Sequence, residues 1–124
     1  MRSVYATSDD GLTWALHGTA LGPTEGSWDR RGARITSAFQ VDGNWIASYD
    51  GRPSAAENWF ERTGFALGAG PEAFRAVAGP VDRDGRTLRY VTIARTPTGL
   101  RIYFEAERAD GANNLRTVFV AVTS

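Results

Sequence analysis

Two stretches of the 124-residue chain concentrate the side chains able to do chemistry. Leu21–Arg34 carries Glu25, Trp28, Asp29, Arg30, Arg31 and Arg34, and Asp50–Arg62 carries Asp50, Arg52, Glu57, Trp59, Glu61 and Arg62. Carboxylates, guanidinium forks and indoles in this mixture suit a sugar. Hydrolysis of a glycosidic bond needs two flanking carboxyl groups, one kept protonated by a raised pKa, and sugar rings stack on indoles. Asp29 and Glu57 are the first candidates for the catalytic carboxylates, with Asp50 between them. Arg34 and Arg52 would orient a substrate, and Trp28 and Trp59 would stack on it. The plainer alternative is that Trp28 and Trp59 cover a core between sheets, that Asp50 caps a turn at Gly51, and that Arg–carboxylate pairs order long loops. A third stretch, Glu105–Arg116, adds Glu105, Glu107 and Asp110, and its Asp110-Gly111 reads first as a turn.

The elements that must position these residues are strands. Short runs rich in Val, Ile, Thr and aromatics, divided by Gly, Pro, Asp or Asn, predict an all-β chain. Strands are expected near Ser3–Ser8, Thr13–Gly18, Ile35–Val41, Asn44–Asp50, Phe60–Leu67, Phe74–Ala78, Leu88–Thr96, Gly99–Glu107 and Leu115–Thr123. Asp42-Gly43 and Thr98-Gly99 each predict a tight hairpin. Helix is credible only at Ser54–Trp59, where Ser54 can cap one or two turns.

Composition narrows the function. Fourteen basic and 14 acidic residues balance to a net charge of zero, so the field that draws a protein to nucleic acid or an anionic membrane is missing. All the basic residues are Arg. With no Cys there is no disulfide scaffold, thiol catalysis or Cys-ligated zinc, and one histidine, His17, cannot build a histidine-rich metal site. No cofactor or metal is expected, and His17 reads as a surface or half-buried side chain on an outer strand. No apolar run approaches a membrane span, and Met-Arg-Ser-Val-Tyr has no signal-peptide core behind it. The chain thus reads as soluble, and as cytoplasmic if Met1 is the native start.

Weak internal repetition orders the strands. Tyr5-Ala6, with Trp14 and Gly18 beyond, returns as Phe65-Ala66 with Phe74 and Gly79, and the hairpin ending in Tyr49-Asp50 returns ending in Tyr103-Phe104-Glu105. Val120-Ala121-Val122-Thr123-Ser124 echoes Val4-Tyr5-Ala6-Thr7-Ser8. The repeat length suits a four-stranded propeller blade. The expected domain is a single partial β-propeller over 1–124, with 1–18 ending one blade, 33–79 forming a complete one, and 87–124 forming an incomplete last blade. Since propellers close with roughly four to eight blades, another polypeptide or copies of the same chain must complete the ring.

Thr7-Ser8-Asp9-Asp10-Gly11-Leu12-Thr13-Trp14 matches the Asp-box pattern Ser/Thr-x-Asp-x-Gly-x-Thr-Trp. The resemblance implies a hairpin between third and fourth strands in which Asp9 accepts turn N–H bonds, Gly11 takes a positive φ and Trp14 packs between neighbouring sheets. Three further segments extend it. Gly26–Ser37 looks like a loop entering an innermost strand, Ala47-Ser48-Tyr49-Asp50-Gly51-Arg52 looks like the second strand, and Glu61–Ala66 is similar to the third. Together these resemble the glycosidase-like five-bladed propellers of the sialidase and furanosidase type, over Ser3 to about Leu67. The resemblance implies the C-terminal two blades of five, with the two long loops facing the mouth of a central channel. The implied function is a glycoside-hydrolase-like portion that acts on or binds carbohydrate. The alternative is a non-catalytic glycan-binding or structural module that closes a ring by oligomerisation.

Overall fold

The computed structural model describes residues 1–57, 60–83 and 86–122. Strands form in all nine expected places: β1 (Ser3–Thr7), β2 (Ala15–Leu21), β3 (Gly32–Val41), β4 (Asn44–Arg52), β5 (Arg62–Gly70), β6 (Ala73–Arg83), β7 (Arg86–Thr96), β8 (Gly99–Glu107) and β9 (Asn113–Ala121). Helix among the described residues is limited to one 3-10 turn, Ala55–Glu57, within the segment where a short helix is expected. Every pairing is antiparallel between consecutive strands. β1 and β2 form a hairpin, β3 to β6 a four-stranded meander, and β7 to β9 a three-stranded one. Among the described residues, the backbone ladder between the two meanders consists of Asp82 and Arg83 of β6 paired with Thr87 and Arg86 of β7.

Turn chemistry explains the hairpins. Asp42 and Gly43 have φ of 48° and 81° and close Val41 against Asn44, the mirrored turn that suits strand twist. The expected Thr98-Gly99 turn sits one residue earlier: Thr96 pairs with Gly99, so Pro97 and Thr98 span the turn and Gly99 begins β8. Gly99 is needed there for space, because a Cβ would collide with the Val120 carbonyl.

The hairpin between β1 and β2 corrects the Asp-box expectation in two respects. Gly11 does take a positive φ of 76°. However, Asp10 rather than Asp9 accepts the turn N–H groups of Leu12 and Thr13, each at 2.8 Å, while Ser8 Oγ accepts that of Gly11 at 2.7 Å. These bonds hold the Asp10 carboxyl below its ordinary range. Trp14 is 61% exposed rather than packed between sheets.

Two small cores support the strands. Leu21, Ala33, Ala47, Tyr49 and Ala66 form the first, with Trp28, Ile35 and Phe74 against them; Val91, Phe104 and Ala106 form the second. Between the meanders the seam is polar. β7 pairs with β8 along one edge, and its other edge is met by side chains of β3, β4 and β5. Ser48 Oγ donates to Val91 O at 2.9 Å, Thr63 Oγ1 to Leu88 O at 3.1 Å, and Ser37 Oγ accepts Ile93 N–H at 3.2 Å. Backbone groups that an edge strand would leave unpaired are thereby satisfied.

Candidate functional site

β4 decides where each candidate side chain goes. Successive residues of a strand point to opposite faces, so Tyr49 and Gly51 look one way and Asp50 and Arg52 the other.

On the Tyr49 face, the loop after β2 lays Trp28 and Asp29 across the meander. The Tyr49 ring stacks on Trp28 with centroids 5.7 Å apart at 22°. The indole rests on a floor of glycines, since a Cβ on Gly51, Gly64 or Gly79 would lie 2.9, 2.8 or 2.7 Å from it. One indole face is thus already occupied. Asp29 is 1% exposed, and its Oδ2 accepts the Tyr49 hydroxyl at 2.9 Å and the Thr24 hydroxyl at 3.3 Å. Burial, and then the bond and charge of Asp29, push the Tyr49 phenol well up from its ordinary value, so it stays a donor. Asp29 Oδ1 is buried with no hydrogen-bond partner.

On the opposite face, Asp50 is fully buried. Its Oδ2 takes Arg34 Nη2 at 3.1 Å and its Oδ1 accepts the Tyr90 backbone N–H at 3.0 Å. Burial raises the Asp50 pKa, against the lowering effect of Tyr90 N–H and Arg34, and the nearby Glu61 charge adds to the rise. Tyr90 has φ of 55°, where β7 breaks register between Arg89 and Thr92. A bulky side chain in the left-handed region is strained and persists only where its surroundings hold it. Several groups hold it here. Arg34 and Arg89 lie 5.3 and 5.1 Å from the ring centroid, and the hydroxyl reaches Glu61 Oε2 at 3.4 Å. Arg52 Nη1 lies 3.6 Å from Glu61 Oε1, and Arg89 Nε pairs with Glu105 Oε2 at 2.8 Å.

The structure thus joins Arg34 to Asp50 and Arg52 to Glu61, but it sets Asp29 and Asp50 on opposite faces of β4, not in one cleft. Glu57 belongs to its own loop, with Arg62 Nη2 and the Ser54 hydroxyl each 3.3 Å from its carboxylate. Trp59 lies outside the described residues. Sequence reasoning passes over Arg89 and Tyr90, and gives Glu61 and Glu105 no role. Glu61 does stand in one of the two long loops, but nothing in the sequence marks Tyr90 for a positive φ. Among the described residues no three His, Cys, Asp or Glu side chains form a group that could hold a metal ion, and no helix is long and apolar enough to cross a membrane.

Solved structures share this architecture. One is Zg3597, a family 117 glycoside hydrolase produced by the marine bacterium Zobellia galactanivorans; it superposes with a TM-score of 0.74 at 17% identity, over 96% of this chain and 38% of that one. The fold is a partial β-propeller. A second structure, that of BT0996 in an RGII complex, matches with a TM-score of 0.66 at 15% identity, over 98% of this chain and 45% of that one. This chain therefore spans less than half the length of either structure. At such identities the likeness establishes the fold alone. No family model and no curated protein matches the sequence.

Proposed function

We propose that this chain is part of a glycoside-hydrolase-like propeller and contributes a carbohydrate-binding wall at the seam between its two meanders. Residues 1–18 end one blade, 33–79 form a second, and 87–124 supply three strands of a third. The observation that carries the reading is Tyr90. A strained aromatic residue, pinned through its N–H by Asp50 and flanked by two guanidinium groups, is a feature that fold stability alone does not call for. Planar forks beside an aromatic ring and carboxylates are the groups that recognise vicinal sugar hydroxyls.

The ring is completed by another polypeptide, a further segment, or copies of this chain. Large apolar side chains support this, because they stand exposed on the outermost sheets: Leu12 at 88% and Leu16 at 70% beside β1 and β2, and Leu115 at 75% on β9. Any two-carboxylate hydrolysis belongs to that completed ring. Within this chain both oxygens of Asp50 are engaged, so Asp50, Arg34 and Arg52 hold and orient, and Glu57 anchors its loop. The test is a glycan panel followed by calorimetric titration of the best ligand. The expected result is saturable oligosaccharide binding, weakened about tenfold or more by Arg34→Ala, which is about 1.4 kcal/mol, and unchanged by Glu57→Gln. No binding across a broad panel, or full affinity in Arg34→Ala, would overturn the proposal.

A further inference from the structure

Asp29 is a buried carboxylate that no ion pair of the described residues neutralises. Among the described residues only neutral hydroxyls reach it, both on Oδ2. Its Oδ1 has no partner. A buried carboxylate left in this way is unfavourable unless a countercharge reaches it or a proton neutralises it.

Asp29 also lines a cleft of about 210 Å³, shared with Thr24, Ser27, Trp28, Tyr49 and Gly79. At about 30 Å³ per water, that space holds roughly seven waters or one small organic molecule. A hard divalent cation needs six or more oxygen ligands, typically several of them carboxylates. Among the described residues, Asp29 is the one carboxylate lining this cleft. What the cleft does combine is a single unneutralised carboxylate and a stacked pair of aromatic rings, the chemistry that recognises an ammonium group.

We propose that the cleft beside Asp29 binds a protonated primary amine, with the ammonium donating to Asp29 Oδ1 and its carbon skeleton lying along the Trp28–Tyr49 stack. The site lies on the face of β4 opposite Asp50, and it does not depend on the carbohydrate reading. An amino sugar and a simple alkylamine present the same group, and the test separates them.

The Trp28 indole N–H is followed by heteronuclear NMR in the wild-type chain at constant ionic strength, while methylammonium, glucosamine, glucose, sodium or calcium is added. Saturable shifts with methylammonium and glucosamine, and none with glucose or sodium, are expected. Glucosamine binding at least tenfold tighter than methylammonium would identify a sugar as the carrier, and equal affinities a simple amine; either supports the site. Asp29→Asn should weaken binding at least tenfold. Glu57→Gln, in a loop outside the cleft, should retain it. If Asn at this position prevents folding, the wild-type comparison decides alone. Equal responses to glucose, sodium or calcium, or no saturable response to either amine, would overturn the proposal.

Discussion

The glycine floor beneath Trp28 gives the sharpest test of the packing. In Gly64→Ala the new Cβ would lie 2.7 Å from Tyr49 Cζ on one side and 2.8 Å from Trp28 Cζ2 on the other. Neither ring can simply retreat. The two are stacked on each other, and Trp28 also rests on Gly51 and Gly79. Overpacking a filled site costs about 1–3 kcal/mol, and a clash with two mutually braced rings belongs at the upper end, about 2–3 kcal/mol. For a chain of this length that is a fall in Tm of about 10 °C. Trp28→Ala alone should also destabilise the chain, but it removes one of the two clashing rings. Gly64→Ala should then cost only about 1 kcal/mol in the Trp28→Ala background, leaving a coupling of about 1–2 kcal/mol. Urea denaturation of the wild type, both single variants and the double variant measures all four stabilities. Additive single effects, or a Gly64→Ala variant as stable as the wild type, would refute the placement of the indole over the glycines.

Three further outcomes follow from the hydrogen bonds and charges. In the first hairpin Asp10→Ala should lower Tm while Asp9→Ala leaves it nearly unchanged; because the folded Asp10 pKa is depressed, its contribution is present above pH 3.8 and fades as pH falls through the folded value, which thermal melts at pH 7 and pH 3 would show. Asp50 has the opposite sign. Its folded pKa is raised, so its contribution is complete below pH 3.8 and is lost as pH rises through the folded value, and the stability of wild type relative to Asp50→Asn should decline over that window in pH-dependent denaturation. Ser48→Ala should destabilise by about 1 kcal/mol by removing one of the two hydroxyls, Ser48 Oγ and Thr36 Oγ1, that donate to the Val91 carbonyl, and should speed hydrogen exchange in β7 before β9; equal exchange in both strands would show that the seam does not hold them.

The nine strands were legible because β-branched and aromatic runs alternate with turn residues whose backbone preferences are strong, as at Asp42-Gly43. The partners of the loops were less so. Asp9 and Asp10 are adjacent, and spacing selects Asp9, but the turn orients Asp10 toward Leu12 N and Thr13 N. The carboxylates Asp29 and Asp50 were identifiable as chemistry-bearing residues, but not their faces. Ala47 to Gly51 are all buried, so β4 shows no alternation from which facing could be read. Tyr90 was invisible for a different reason. Local preference argues against a positive φ for an aromatic residue, and the strain is held by Asp50, forty positions away in the chain.

β4 therefore carries two separate tasks on neighbouring residues. Through Tyr49 it fixes the Trp28 stack and Asp29; through Asp50 it fixes the Tyr90 bulge and, with Ser48, the free edge of β7. A slip of one residue in its register would exchange the two faces, placing a tyrosine against the β7 backbone and a carboxylate against the indole. What prevents the slip is visible on both flanks. Gly64 opposite Tyr49 leaves room for its ring, and Thr63 opposite Asp50 supplies the hydroxyl for Leu88 O, so each neighbour fits only one of the two arrangements. Register in this sheet is thus set by polar and steric complementarity as much as by apolar burial. Both candidate sites inherit their geometry from that single constraint, and a change that loosened β4 would disturb the amine cleft and the Tyr90 cluster together.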